Sequence, residues 1–395
     1  MPLPSLTRAL PALAVAAGLA LPAAASAADH RSSVRFATFN ASLNRNAEGQ
    51  LQADLATGDD QQARSAAETI QRVRPDVVLI NEFDYDAAGV SLDRFAENYL
   101  EKGQGGAAPI RYPYRFTAES NTGIPTGLDL NNNGEVGGGD DAFGFGLFPG
   151  QYGMAVYSRF PIAEEDIRTF QRFRWKDMPG NLLPTDFYDA AEQEVLRLSS
   201  KSHWDIPIEL GGRTVHLLAS HPTPPTFDGP EDRNGRRNHD EIRFWADYVR
   251  PNRSDYIYDD EGDRGGLHPR ARFVIAGDQN ADPEDGDSYD DAIWQLLDHP
   301  RIQDPLPTSP GGPEQAALQG GANLEHEGDP AYDTADFSDR APGNLRADYV
   351  LPSRRLKVRD AGVFWPRSDD PLFRLVGTFP FPTSDHRLVW VDVRP

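Results

Sequence analysis

The run Val274-Ile275-Ala276-Gly277-Asp278-Gln279-Asn280-Ala281-Asp282 delivers a carboxylate and an amide to one turn at the end of an apolar stretch. Cleaving a phosphate ester needs a carboxylate to orient a water or a metal, and a neutral donor to meet the charge that builds on phosphate oxygens. Asp278 and Asn280, two apart, can supply both, although Gly-Asp-x-Asn alone suits an ordinary Asx-type turn equally well. Thr383-Ser384-Asp385-His386 places an acid beside an imidazole whose ordinary pKa is close to neutral. His386 can therefore move a proton, while Asp385 faces a metal or a second histidine. Asp348, in Arg346-Ala347-Asp348-Tyr349-Val350-Leu351, opens a strand either as a cap or as the carboxylate that fixes the His386 tautomer, and spacing admits both.

The elements that must position these groups are short apolar or β-branched runs at residues 34–40, 76–82, 154–158, 215–221, 273–280, 348–351, 358–365 and 388–393. They read as strands, many of them buried. Between them, residues 63–73, 242–249 and 291–297 have helical apolar spacing, so the pattern implies a sheet domain with helices over its faces. Asn40, Glu82, His221, Asp278 and Asn280 end or closely follow such strands, which is where open α/β sheets hold their ligands. Five polar ends of this kind imply convergence on one site.

The ordered set Thr38-Phe39-Asn40, Asn81-Glu82, His221, Gly277-Asp278-Gln279-Asn280-Ala281-Asp282, Ala347-Asp348-Tyr349-Val350 and Ser384-Asp385-His386 resembles the endonuclease/exonuclease/phosphatase superfamily. The resemblance implies an α+β fold, a four-layer α/β/β/α sandwich of two mixed β-sheets packed face to face with helices outside. It implies that Asn40, Glu82 and Asp385 lie on the metal side, with Glu82 the Mg²⁺ (or Mn²⁺) ligand. Asp278 then orients the attacking water, Asn280 contacts the scissile phosphate, His386 faces the phosphate with Asp348 behind it, and His221 is the additional histidine of the deoxyribonuclease and sphingomyelinase branches. Whether His386 or Asp278 is the base is left open. Gln279 stands where an aromatic is usual and Asn81 where Gln is commoner, which bears on subfamily more than on activity.

A second ion site is suggested by Asp129-Leu130-Asn131-Asn132-Asn133-Gly134-Glu135-Val136-Gly137-Gly138-Gly139-Asp140. Oxygen-bearing Asp129, Asn131 and Asn133, then Gly134, Glu135 and a closing Asp140 fit a calcium-loop pattern, with a structural Ca²⁺ as the expected occupant. Asp at the last position is shorter than the usual Glu, and the alternative is a flexible Gly/Asn loop. Asn44, Tyr152 and Arg159 sit near the motifs as further phosphate contacts or plain surface polarity. His203, His239, His268, His299 and His326 read as surface histidines, and Trp175, Phe187 and Trp204 as an irregular stretch that walls a cleft or buries a loop.

Residues 1–27 carry one charge, Arg8, then an Ala/Leu-rich run ending in Ala25-Ser26-Ala27, the pattern of a secretory signal peptide. The expected organisation is signal peptide 1–27 and one domain, 28–395, with loop insertions near 121–150, 251–270 and 305–345. The protein is expected to be secreted or periplasmic, with no integral membrane segment in the mature chain and no protein partner evident. It contains no cysteine, so stability must come from its core and from bound ions. The net charge of −22, one unit more negative without Arg8, disfavours tight nonspecific nucleic-acid binding. The substrate expected is a phosphoester, as nucleic acid, lipid headgroup or small molecule. The first reading is a water-attacking phosphodiesterase or phosphomonoesterase, including a nuclease. A phospholipid or sphingomyelin-type phosphodiesterase and a non-catalytic calcium-stabilised binding module are the alternatives.

Overall fold

A computed structural model describes Met1 and residues 33–395, so the expected signal peptide, 1–27, lies outside the described residues. Among the described residues, thirteen strands follow in chain order: β1 (Val34–Asn40), β2 (Val77–Asn81), β3 (Tyr114–Phe116), β4 (Met154–Ser158), β5 (Arg168–Thr169), β6 (His203–Glu209), β7 (Thr214–Ser220), β8 (Arg272–Asp278), β9 (Ala335–Asp336), β10 (Asn344–Leu345), β11 (Asp348–Pro352), β12 (Lys357–Val363) and β13 (Val389–Arg394). The α-helices are α1 (Gln50–Asp54), α2 (Gln61–Val73), α3 (Val90–Phe95), α4 (Ala190–Val195), α5 (Arg233–Tyr248), α6 (Trp294–Leu297) and α7 (Gly311–Gln319). One sheet has the order β12-β13-β1-β2-β4-β3, the other β11-β8-β7-β6-β5, and β9 pairs with β10. Both main sheets are mixed: β1 runs parallel to β2 and β7 parallel to β8, and the other pairings are antiparallel.

Side-chain alternation builds the layers. Along β1, Val34 and Phe36 enter the apolar cluster between the sheets, while Ala37 and Phe39 turn outward to meet Ala63, Ala66 and Ile70 of α2. In β8, Val274 and Ala276 face the inter-sheet core, while Phe273 and Ile275 pack on Ile242 and Trp245 of α5. Each sheet thus buries both faces, one against the other sheet and one against helices, which is the expected α/β/β/α sandwich. Helix α2 starts where the Asp60 carboxylate accepts the Ala63 N–H at 2.8 Å and ends at Arg74 in the left-handed region.

Several expectations change. Residues 305–345 are not a structureless insertion: they form α7, β9 and β10, and Ala335 is buried in front of the C-terminal strand. Trp204 and His203 lie in β6, a strand the irregular reading missed. His203 is buried, with Nδ1 3.1 Å from Ser199 Oγ and Nε2 3.0 Å from the Glu241 carbonyl. His299 is buried as well, and Trp175 belongs to the core under α5. No helix among the described residues is long and apolar enough to cross a membrane.

Candidate active site

The alternation that fills the core also aims the polar strand ends. Asn40 continues the inward series of Val34 and Phe36, Asp278 that of Val274 and Ala276, His221 that of Val215, Leu217 and Ala219, and Asp348 precedes inward Val350 by two. The apolar layer between the sheets therefore gives way, at one end, to a buried polar cluster. Asp348 and Asp278 are register partners on adjacent strands.

Asp278 is the hub. Its Oδ2 accepts the Asn40 amide at 3.1 Å and lies 3.4 Å from His221 Nε2 and 3.6 Å from His386 Nε2. Its Oδ1 accepts the Asn280 N–H at 3.0 Å. His386 Nδ1 meets Asp348 Oδ2 at 2.8 Å, and the Thr334 hydroxyl donates to the same oxygen at 2.9 Å. The Asp348 contact fixes the imidazole with its second nitrogen towards Asp278. Asn280, at φ 51°, turns its side chain to donate to the Pro222 carbonyl at 3.1 Å, beside His221. Gly277 makes this turn possible: at φ 148° an added Cβ would stand 1.9 Å from the Ser220 carbonyl oxygen.

Glu82 follows β2 in the left-handed region, φ 57°, which swings its carboxylate to the Asn44 amide at 2.8 Å. Asp385 is half-buried beside His386, with the Ser384 hydroxyl 3.5 Å from Oδ1. Asn81, just before Glu82, accepts the Thr38 hydroxyl at 3.2 Å and the Asp278 N–H at 3.3 Å, so a β2 side chain ties the first sheet to the second. The buried Gln279 side chain reaches the Ser220 hydroxyl at 3.2 Å, an internal anchor.

Electrostatics separate the two histidines. Burial and the neighbouring charges of Lys201 and His386 hold His221 well below its ordinary pKa, so it is neutral. Burial also opposes charge on His386, but Asp348 and Asp278 outweigh it and raise its pKa well above normal. Burial pushes Asp278 up to about 6 despite the favourable charge of His386. Glu82 keeps some exposed surface but is crowded by protein, and desolvation, with Asp385 and Asp278 adding repulsion, raises its pKa.

Asp278, Asp348 and His386 offer ligand atoms within 4.8 Å of one another. Asp348 Oδ2 is already shared between His386 Nδ1 and Thr334, so one oxygen of this trio is engaged in hydrogen bonds. The acids Glu82, Asp278, Asp348 and Asp385 outnumber the nearby cations, and Asp348 Oδ1 is buried with no partner. An excess of hard oxygen donors, with Glu82 and Asp278 raised in pKa, fits a divalent cation of the Mg²⁺ type at Glu82.

The expected calcium loop is held by its own Asx-type turns. Asp129 accepts the N–H groups of Asn133 and Gly134 at 3.0 and 2.8 Å, and the amide oxygens of Asn131 and Asn133 accept the N–H groups of Asn133 and Glu135 at 3.1 and 2.8 Å. Glu135 and Asp140 are exposed, and it is Asp141, one residue later, that turns inward to bind the Leu130 and Gly137 N–H groups. Each of these side-chain oxygens accepts a backbone N–H and keeps a further lone pair. Arg159 leaves the candidate set: it pairs at 2.8 Å with Asp76, at the opposite end of β2 from Glu82. The residues that composition did not single out are Thr334 and Lys201; neither lies in a periodic segment.

A family model described as Endonuclease/Exonuclease/phosphatase family matches residues 37–386. No curated protein sequence matches the chain. Among solved structures, an endonuclease/exonuclease/phosphatase from Beutenbergia cavernae is 19% identical, with 92% of this chain and 72% of that chain covered and a TM-score of 0.49. Sphingomyelinase C from Streptomyces griseocarneus is 16% identical, with 91% and 99% covered and a TM-score of 0.43. A mannosyl-6-phosphatase from Bacteroides thetaiotaomicron is 12% identical, with 91% and 99% covered and a TM-score of 0.44. The match over residues 37–386 shows that the chain belongs to the endonuclease/exonuclease/phosphatase family.

Proposed function

We propose that the protein is an exported, divalent-cation-assisted phosphoester hydrolase. Members of its family are phosphoesterases. The observation that carries the reading for this chain is the meeting of Asn40, His221 and His386 on the Asp278 carboxylate, from both sheets.

The residues divide the work by charge. Asp278, ionised above about pH 6, takes a proton from the attacking water, and the Asn40 amide and Asn280 N–H hold its carboxylate in place. His386 stays protonated through Asp348 and donates to a phosphate oxygen as negative charge grows there. His221 is neutral. With Nε2 turned to Asp278, its Nδ1 is buried without a partner and is free for a proton or water on the leaving-group side. Glu82, with Asn40 and Asp385 alongside, would hold a Mg²⁺-type ion, whose contribution when bound is to polarise the phosphate.

The net charge of −22 favours small or lipid-headgroup phosphoesters over long polyanions. The test is a panel of plasmid DNA, sphingomyelin, bis-p-nitrophenyl phosphate and p-nitrophenyl phosphate, with Mg²⁺, Mn²⁺ or Ca²⁺ supplied separately. Hydrolysis of at least one phosphoester is expected, and none with any metal rejects the proposal. Export is tested by the N-terminus of the mature protein, expected after Ala27.

A further inference from the structure

At the end of the second sheet where β8 begins and β11 ends, opposite the candidate active site, lie turns at 250–253, 268–271, 299–302 and 353–356. Arg301 ties them together. Its guanidinium donates to the Val249 carbonyl and, at 2.9 Å, to the Pro269 carbonyl, while its own carbonyl accepts the Arg354 N–H at 2.8 Å. The four turns carry six arginines, Arg250, Arg253, Arg270, Arg301, Arg354 and Arg355, with two histidines and no acid. In a chain with 61 acids against 39 Lys and Arg, the sign of the charge is reversed at this pole. All of the six but Arg301 are exposed.

Among the described residues none of the six makes an ion pair. Of the acids near them in sequence, Asp247 is committed to Arg243 and Tyr256 and Asp304 to Arg346, and Asp255 and Asp298 are exposed without pairing to any of them. Cations here face cations: burial, with repulsion from Arg355, lowers the Arg301 pKa, and burial, with Arg250 and Arg301, brings His299 down to about 4. Like charges gathered on turns that the backbone holds together add repulsion to the fold, and an anionic partner relieves it.

We propose that this arginine-bearing pole docks the chain on an anionic phospholipid surface. A planar bilayer meets only the pole, and beyond about 10 Å salt screens its repulsion by the acidic remainder of the chain. A long flexible polyanion would instead run on over acidic surface. No large hydrophobic side chain is exposed on these turns among the described residues, so the attachment is electrostatic and does not rest on insertion. Arg272 and Asp278, the two ends of β8, are about 20 Å apart, so the docked chain holds the candidate active site away from the bilayer.

The test is cosedimentation of the mature protein with vesicles of phosphatidylcholine, alone or with about 30% phosphatidylglycerol. The wild type should bind only the vesicles that contain phosphatidylglycerol, and about 0.5 M NaCl should release it. Combining Arg250→Gln, Arg270→Gln, Arg354→Gln and Arg355→Gln should weaken binding by about 10²-fold or more, and Arg→Lys changes at the same four positions should keep most of it. A charge-matched control with Arg111→Gln, Arg172→Gln, Arg174→Gln and Arg213→Gln, all exposed elsewhere, should bind like the wild type. The Tm of each variant, measured alongside, shows that it is folded. No binding of the wild type to phosphatidylglycerol vesicles, an equal loss in the control, or full binding by the first variant overturns the proposal. Tighter binding to double-stranded DNA than to these vesicles at the same salt also overturns it and assigns the pole to a polymer. Each result is read without turnover, so it stands apart from the enzymatic reading.

Discussion

Asp278 and Asp348 stand opposite one another on paired strands β8 and β11, and His386 bridges them, its Nδ1 2.8 Å from Asp348 and its Nε2 3.6 Å from Asp278. Both acids raise the pKa of the imidazole between them, which is thereby held as a cation. The imidazolium is that cation, so the strand register itself sets the protonation state of the cluster.

Thr334 should prove a positioning residue. Its hydroxyl donates to Asp348 and accepts the Ala347 and Asp348 N–H groups at 3.0 and 2.9 Å. Thr334→Val strands these buried partners and should cost about 1–3 kcal/mol by denaturant titration. It should also lower kcat more than it changes KM, with Thr334→Ser restoring most of both.

The pH profile follows from Asp278 and His386. As a base with pKa pushed up to about 6, Asp278 predicts that kcat/KM rises with pH through about 6. Activity should fall again at alkaline pH as His386, held well above its ordinary value, loses its proton. A flat profile between pH 5 and 8 would contradict this assignment.

Asp333 bears on stability. Burial, with repulsion from Asp282, Asp285, Asp329 and Asp336, pushes its pKa up to about 8. The folded state therefore holds a proton between the ordinary carboxylate pKa and about 8 that the unfolded chain has lost, so this group's contribution declines as pH rises through that window. Asp333→Asn should raise Tm by several degrees at pH 8.5 and leave it nearly unchanged at pH 4. No difference at pH 8.5 would show that the charge is compensated.

Gly277→Ala should be severe. The residue has φ 148°, and a methyl group would meet the Ser220 carbonyl at 1.9 Å. A loss of about 2 kcal/mol or more, with activity falling further than stability, is expected from paired melting and kinetic measurements.

The catalytic end of the fold was legible because period-two alternation carries both the core and the site. Every second residue of a strand shares a face, which is how Asn40, His221 and Asp278 could be read from the inward apolar residues of their own strands. Glu82 breaks that parity, and its motif rather than its period identified it; its left-handed backbone supplies the re-aiming. Thr334 escaped notice because the segment around it has no apolar period and acquires its place only by packing against the His386 turn.

The most direct test of the account is the turnover of bis-p-nitrophenyl phosphate with Mg²⁺ by the wild type, Asp278→Asn and His386→Ala, with each variant's Tm measured alongside. The account predicts that each substitution lowers kcat by about 10²–10⁴-fold while the protein remains folded. Turnover within a few-fold of the wild type in both folded variants would contradict it.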